Sequence, residues 1–384
     1  MTSSDHPMLY LLYSADYELY LGSNLLAEEE VLIQPTNLLL ATCQRLEIPI
    51  TLFADVACLW RYRELGKDRF PDMAELQLQE AIRQGHDVQT HLHPHWAATT
   101  FQGAECRFDP ATYLLGTLHP DPALRARMTA SLLQRAARHL TDLLSPIDPD
   151  YRCLAFRAGG YGLQPDTAMI LNALLTCGYR IDSSIIPGLR LANPMQRVDF
   201  SQVPDLPNWW LSPEGGLTSP AAPGTPAILE IPIPACHLSD RERLAIRIPE
   251  ALRAAWETLR GPPPPRGTPC NAAGPACSTA NRCKTAYWRM RAILAQRFQR
   301  LELGNSPGAL SACLHRYLKE CKPSRQPVMV SLNCHPKGLR PAHLATLERF
   351  HDTLLTHWKE KVRAITFQQA WRLARGRPVP PGAS

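Results

Sequence analysis

What is scarce in this chain narrows its function before any motif is read. Nowhere do its 384 residues approach the ~18 consecutive apolar residues of a membrane span, so stable membrane insertion is not expected. The N-terminus, Met-Thr-Ser-Ser-Asp-His-Pro, has no basic start. The apolar run behind it breaks at Ser14, which argues against a secretory leader. Charge of one sign is in short supply: 41 Lys and Arg against 35 Asp and Glu leave a net +6, too small and dispersed for a nucleic-acid footprint. Cys-x-x-Cys pairs are absent although there are 12 cysteines. Only Cys270, Cys277 and Cys283 bunch, in a Pro/Gly-rich stretch with spacings unlike zinc knuckles. Free thiols in a reducing compartment, the cytoplasm, are therefore expected.

What is present is an ordinary globular composition, 45% hydrophobic and 20% charged, with proline in excess at 36 residues where ~5% is usual. The excess predicts long, stiff loops. Short apolar runs read as strands: 8–13, 50–54, 87–91, 153–156, 179–182, 227–233 and 328–332, with 362–366 a weaker eighth. Between them, 72–84, 165–177 and 341–357 read as helices, the second with Pro165 near its start and Gly178 just past its end. The alternation predicts an α/β fold on a parallel sheet. With no Gly-rich dinucleotide fingerprint after the first strand, a barrel is favoured over a Rossmann domain. One domain over 8–375 is expected, with loops inserted at about 187–226 and 256–285 and a flexible tail at 376–384.

Four of the 13 histidines, His86, His91, His93 and His95, fall within ten residues at the end of a predicted strand. Neutral imidazole is the commonest metal ligand, and zinc accepts two or three beside a carboxylate. A helix would bring His91 and His95 to one face, although Pro94 opposes a helix there. An extended segment would align His91, His93 and His95. Asp16 and Glu18, at i and i+2 where the first apolar run stops, supply carboxylates that point the same way.

In these residues the chain resembles the NodB-homology polysaccharide deacetylases (carbohydrate esterase family 4), in particular the WalW-like branch associated with lipopolysaccharide biosynthesis. The resemblance implies a distorted (β/α)7 barrel with five ordered motifs at strand C-termini. Asp16 matches the general base. Tyr17 stands where a ligand Asp is usual, and Glu18 takes over as ligand. His91 and His95 match the ligand histidines, with His93 spare. Arg157 would hold the base ionised, and Gly160 and Tyr161 belong to the turn that meets the oxyanion. Asp182 and Ser183 would line the acyl pocket, and His335, after the last barrel strand, would be the general acid. Trp96, with Trp209 and Trp210, is a candidate sugar platform.

Together these imply a hydrolase of carbon–nitrogen (non-peptide) bonds that uses a divalent metal, zinc by preference, on an N-acetyl amino sugar of a polysaccharide or lipopolysaccharide precursor. The alternatives are a catalytically impaired carbohydrate-binding protein on the same fold, or a hydrolase of another non-peptide amide. A carbohydrate is the expected partner.

Overall fold

The computed structural model describes residues 8–20, 27–102, 105–260, 279–322 and 327–377. Seven strands form its centre: β1 (Leu9–Tyr17), β2 (Ile50–Asp55), β3 (Asp87–Leu92), β4 (Ala155–Ala158), β5 (Ile181–Asp182), β6 (Ile228–Glu230) and β7 (Val328–Cys334). They are laterally ordered β7-β1-β2-β3-β4-β5-β6, every pairing parallel. The gap between β6 and β7 has no ladder. Single backbone bonds cross it, from Ser331 N to Pro232 O (2.9 Å) and, by way of the 301–303 segment, from Asn333 N to Leu301 O (3.1 Å). The result is the expected distorted barrel of seven strands. Trp209–Leu211 adds an antiparallel strand beyond β6, and Val362–Ala364 lies parallel to the start of β1.

Ten helices are described: α1 (Gln34–Arg45), α2 (Val56–Glu64), α3 (Arg69–Arg83), α4 (Pro122–Leu144), α5 (Thr167–Thr176), α6 (Asp240–Arg260), α7 (Thr279–Ala295), α8 (Pro307–Glu320), α9 (Pro341–Trp358) and α10 (Phe367–Ala374). Part of the proline excess serves them. A proline occupies the first or second position of α1, α4, α8 and α9, where no backbone N–H is needed. The two inserted spans are not simple loops. The first contains an antiparallel hairpin, Arg190–Ala192 with Arg197–Asp199, and the Trp209–Leu211 strand. In the second, 256–260 end α6 and 279–285 begin α7. Cys283 is an exposed free thiol, whereas Cys270 and Cys277, like 378–384 of the tail, lie outside the described residues. None of the ten described cysteines forms a disulfide.

Period-two alternation divides each strand between two environments. Tyr13, Ala15 and Tyr17 of β1 join the outer core beneath the helices. Leu12 faces inward with Phe53, Ala155, Ile181, Leu229 and Met329. This apolar plug closes the barrel floor together with Phe367 of α10, whose ring meets Phe53 edge-on at 4.9 Å. Above the plug the inward positions turn polar.

At the floor, Asp87 ties β3 to α10, accepting from Gln89 Nε2 (2.9 Å), Gln368 Nε2 (3.2 Å) and Gln368 N (3.3 Å). Burial outweighs those bonds and pushes its pKa up to about 6. The folded chain therefore binds this proton more tightly than the unfolded one, and stability falls as pH rises from about 4 to about 6, then levels off. Denaturant midpoints across that range are expected to fall more steeply for wild type than for Asp87→Asn. Parallel profiles would refute the assignment.

Candidate metal and catalytic site

The polar storey of the barrel is organised by Arg157, which is fully buried on β4. Its Nη1 donates to Asp16 Oδ1 (2.7 Å) and Asn333 Oδ1 (2.8 Å), and its Nε to Ser183 O (2.9 Å). Its Nη2 donates to Ser14 Oγ (2.9 Å), Ser183 Oγ (3.0 Å) and Ser331 Oγ (3.1 Å). The guanidinium lies 4.1 Å over the Phe53 ring, roofing the apolar plug. A buried cation is tolerable only with such complete pairing. Burial would raise the Asp16 pKa, but Arg157 and then His335 hold the carboxyl well below its usual range. Asp16 is thus ionised in a dry setting.

Strand alternation also brings Glu18, two residues beyond Asp16, to the same side, while the intervening Tyr17 turns outward and donates to Gln77 Oε1 (2.8 Å). Glu18 Oε2 lies 2.7 Å from His93 Nε2 and 3.6 Å from His91 Nε2. His91 Nδ1 lies 2.9 Å from Arg157 O, a contact in which only the ring N–H can donate, so in the neutral ring Nε2 turns its lone pair toward Glu18. Burial opposes protonation of this ring, but the Glu18 and Asp16 carboxylates raise its pKa. Despite their proximity, Glu18 Oε2 and His91 Nε2 make no hydrogen bond. Convergent, buried O and N donors fit a divalent cation. Glu18, His91 and His93 form one candidate ligand group, and Asp16, Glu18 and His335 a second that shares Glu18. Burial opposes ionisation of Glu18, yet Lys337 and His93 hold its pKa well below the carboxylate range.

His95 is not brought into either group. His93 keeps extended backbone and continues the inward series of β3, but Pro94 then starts a 3-10 turn over Pro94–Ala98. The turn rotates His95 against Phe108 (4.5 Å between centroids) and Tyr113 (5.5 Å, stacked). Burial there drives its pKa well down, so the ring is neutral.

His335 does stand beside Asp16, with Nε2 3.2 Å from Asp16 Oδ2. Its Nδ1 lies 3.3 Å from Glu302 Oε1. Burial would lower its pKa, but hydrogen bonds to the two carboxylates raise it to about 10. The imidazole is therefore protonated at neutral pH.

Four residues at the site had no place in the sequence reading: Glu302, Asn333, Lys337 and Asp55. Asn333 Nδ2 donates to Asp16 Oδ2 (3.1 Å), and Lys337 Nζ lies 2.9 Å from Glu18 Oε1. Asp55 ends β2, accepts from His93 N (3.3 Å) and has a buried, unpartnered Oδ2. Burial raises its pKa. An acid ending an apolar run is the signal that singled out Asp16, and it was available for Asp55 too. Glu302 lies on the irregular crossing between β6 and β7, where no sequence pattern pointed.

The expected substrate residues divide. Gly159 packs so close to His93 that a Cβ would sit 2.6 Å from its ring, and Gly160 and Tyr161 both take positive φ in the turn beside it. Ser183 faces inward onto Arg157. Asp182 falls on the opposite strand face. It pairs with Glu230 across the register and accepts from Ser184 Oγ (2.8 Å). Burial raises both carboxyls of that pair, and Asp182 does not reach the site. Trp96 is fully buried against Tyr62 and His95, so it cannot offer a sugar platform at the rim. Trp209 is core as well, and Trp210 packs on Trp371.

No family model matches the chain, and no curated protein matches it in sequence. Among solved structures it is similar to a Mycobacterium smegmatis protein assigned to the polysaccharide deacetylases, at 13% identity over 100% of this chain and 96% of that one, with a TM-score of 0.43. It is also similar to the PuuE allantoinase, at 16% identity over 97% and 93%, TM-score 0.41. A third is a polysaccharide deacetylase from Bacillus cereus, at 11% identity over 94% and 92%, TM-score 0.33. Likenesses this distant lend no support to a chemistry, which rests on the geometry above.

Two outcomes are expected. Arg157→Met strands a buried Asp16 carboxylate and should cost about 3–5 kcal/mol in chemical denaturation, with Asp16→Asn in the same chain recovering part. Metal content per chain should collapse in His93→Ala and Glu18→Gln but survive in His95→Phe. Loss in His95→Phe with retention in His93→Ala would instead make His91 and His95 the ligand pair.

Proposed function

We propose that the protein is a metal-dependent hydrolase that removes an acetyl group from the nitrogen of an amino sugar. The observation that carries this reading is the contact between an ionised Asp16 and a protonated His335 (3.2 Å) beside the Glu18–His91–His93 group. A base and an acid of opposite protonation state in one pocket suit amide hydrolysis, which needs a proton taken from water and another given to the leaving nitrogen.

Glu18, His91 and His93 would hold the divalent ion, zinc by donor type. Bound there, such an ion supplies polarisation of the acetyl carbonyl and acidifies water toward a pKa of ~7. Asp16, oriented by Arg157 and Asn333, accepts the proton of the attacking water. His335 protonates the departing amine, and Glu302 on its far nitrogen keeps the imidazole oriented and charged. Backbone N–H groups of the Gly159–Tyr161 turn are the proposed oxyanion donors, with Ser183 and Tyr161 toward the acyl group. The WalW-like resemblance extends the proposal to a lipopolysaccharide precursor as substrate, and the free thiols extend it to a cytoplasmic setting.

One observation favours the second reading, a carbohydrate-binding protein without turnover: the Lys337 ammonium already neutralises one oxygen of Glu18. Metal analysis paired with acetate release from a panel of N-acetylated saccharides separates the two. A hydrolase retains metal and releases acetate, and Asp16→Asn should keep the metal while losing at least about 100-fold in turnover. Acetate release undiminished in Asp16→Asn would place the base elsewhere, and bound metal without acetate release would favour the binding protein.

A further inference from the structure

The net charge is less dispersed than the sequence reading held. α6 carries five arginines against four acids, and α7 three arginines and one lysine against none, so this helix pair holds +5 of a chain total of +6. The same pair carries half of the exposed large hydrophobic side chains among the described residues. On α6, Leu244, Ile248, Leu252 and Trp256 recur every fourth residue and Leu259 follows three later, all between 43% and 60% exposed. That spacing makes one apolar stripe along the helix. Arg247, Ala251 and Ala254 are buried on another side. On α7, Tyr287 and Trp288 are exposed with rings 5.4 Å apart. Lys284 and Arg291, three residues before Tyr287 and four after, share its face. Two arginines cap the indoles, Arg260 3.6 Å over Trp256 and Arg291 5.5 Å over Trp288.

We propose that the α6–α7 hairpin seats the protein on an anionic lipid surface. Exposed apolar side chains that include Trp and Tyr, with basic residues among them, are what the headgroup boundary of a bilayer accepts. No described helix is long and apolar enough to cross a membrane, so the attachment is peripheral. Complementary charge selects the occupant. The cationic α7, which carries no acid of its own, is attracted by anionic headgroups and repelled by the α7 of a second copy. The hairpin is also joined to the end of the barrel that carries the titratable cluster, since the chain leaving α7 at Ala295 reaches Glu302 beside His335. The inference does not depend on the hydrolase reading.

Sedimentation of the full chain with vesicles tests it. The protein should co-sediment with mixed phosphatidylglycerol–phosphatidylcholine vesicles and not with phosphatidylcholine alone, and salt should release it. Lys284→Glu with Arg291→Glu should weaken partitioning at least about tenfold, and Trp288→Ser should weaken it as well. Both variants change exposed positions, so an unaltered thermal midpoint confirms that they fold. Absence of binding to anionic vesicles, or equal binding to neutral ones, overturns the proposal. So does a lipid-free dimer that Trp288→Ser dissociates, which would assign the face to a second copy.

Discussion

A guanidinium removed from water must find a partner for every N–H, and at Arg157 that demand holds the upper barrel together. Its acceptors come from β1, β7 and the residue after β5, so a single side chain fixes the relative heights of strands far apart in sequence. The same contacts that satisfy the cation keep Asp16 ionised, and the Arg157 carbonyl sets the tautomer of His91. Fold and candidate chemistry therefore share one interaction. Arg157 also marks the boundary between two kinds of interior, with Phe53 and the apolar plug below it and the titratable cluster above.

That cluster is held by a balance of buried charge. Asp16, Glu18 and Glu302 face Arg157, His335 and Lys337, and each carboxylate has at least one cationic neighbour. Burial would otherwise neutralise these acids. Where burial outweighs the compensation, as at Asp55 beside His93 and His91, the pKa rises instead. Buried atoms without hydrogen-bond partners gather here, among them Glu18 Oε2, His91 Nε2, Asp55 Oδ2 and His93 Nδ1.

All eight strand-like runs overlap a strand, 153–156 and 179–182 only in their second halves, because apolar runs bounded by turns state their burial locally. Helices α4 and α8 lie outside that reading although their apolar residues recur with helical spacing and a proline opens each. Asp16, Glu18 and His91 were legible because a polar residue ending an apolar strand has few reasons to be there. The choice between His93 and His95 was not legible, because it depends on where β3 gives way to the turn at Pro94. Asp182 was misplaced for a related reason. A two-residue strand reverses face at each step, and only the contacts of Ile181 and Ser183 reveal which way it points.

Composition and order of residues were sufficient to determine the alternation of strand and helix, the barrel, and the strand ends bearing acid, imidazole and guanidinium. These are local properties, since hydrophobic period and side-chain type can be read within a few positions of any residue. The tertiary structure alone decided that Glu302, Lys337 and Asn333 complete the cluster, that Trp96 is core, and that basic and apolar side chains gather on one helical hairpin. Those outcomes depend on which distant segments become neighbours, and separation along the chain carries no record of separation in space.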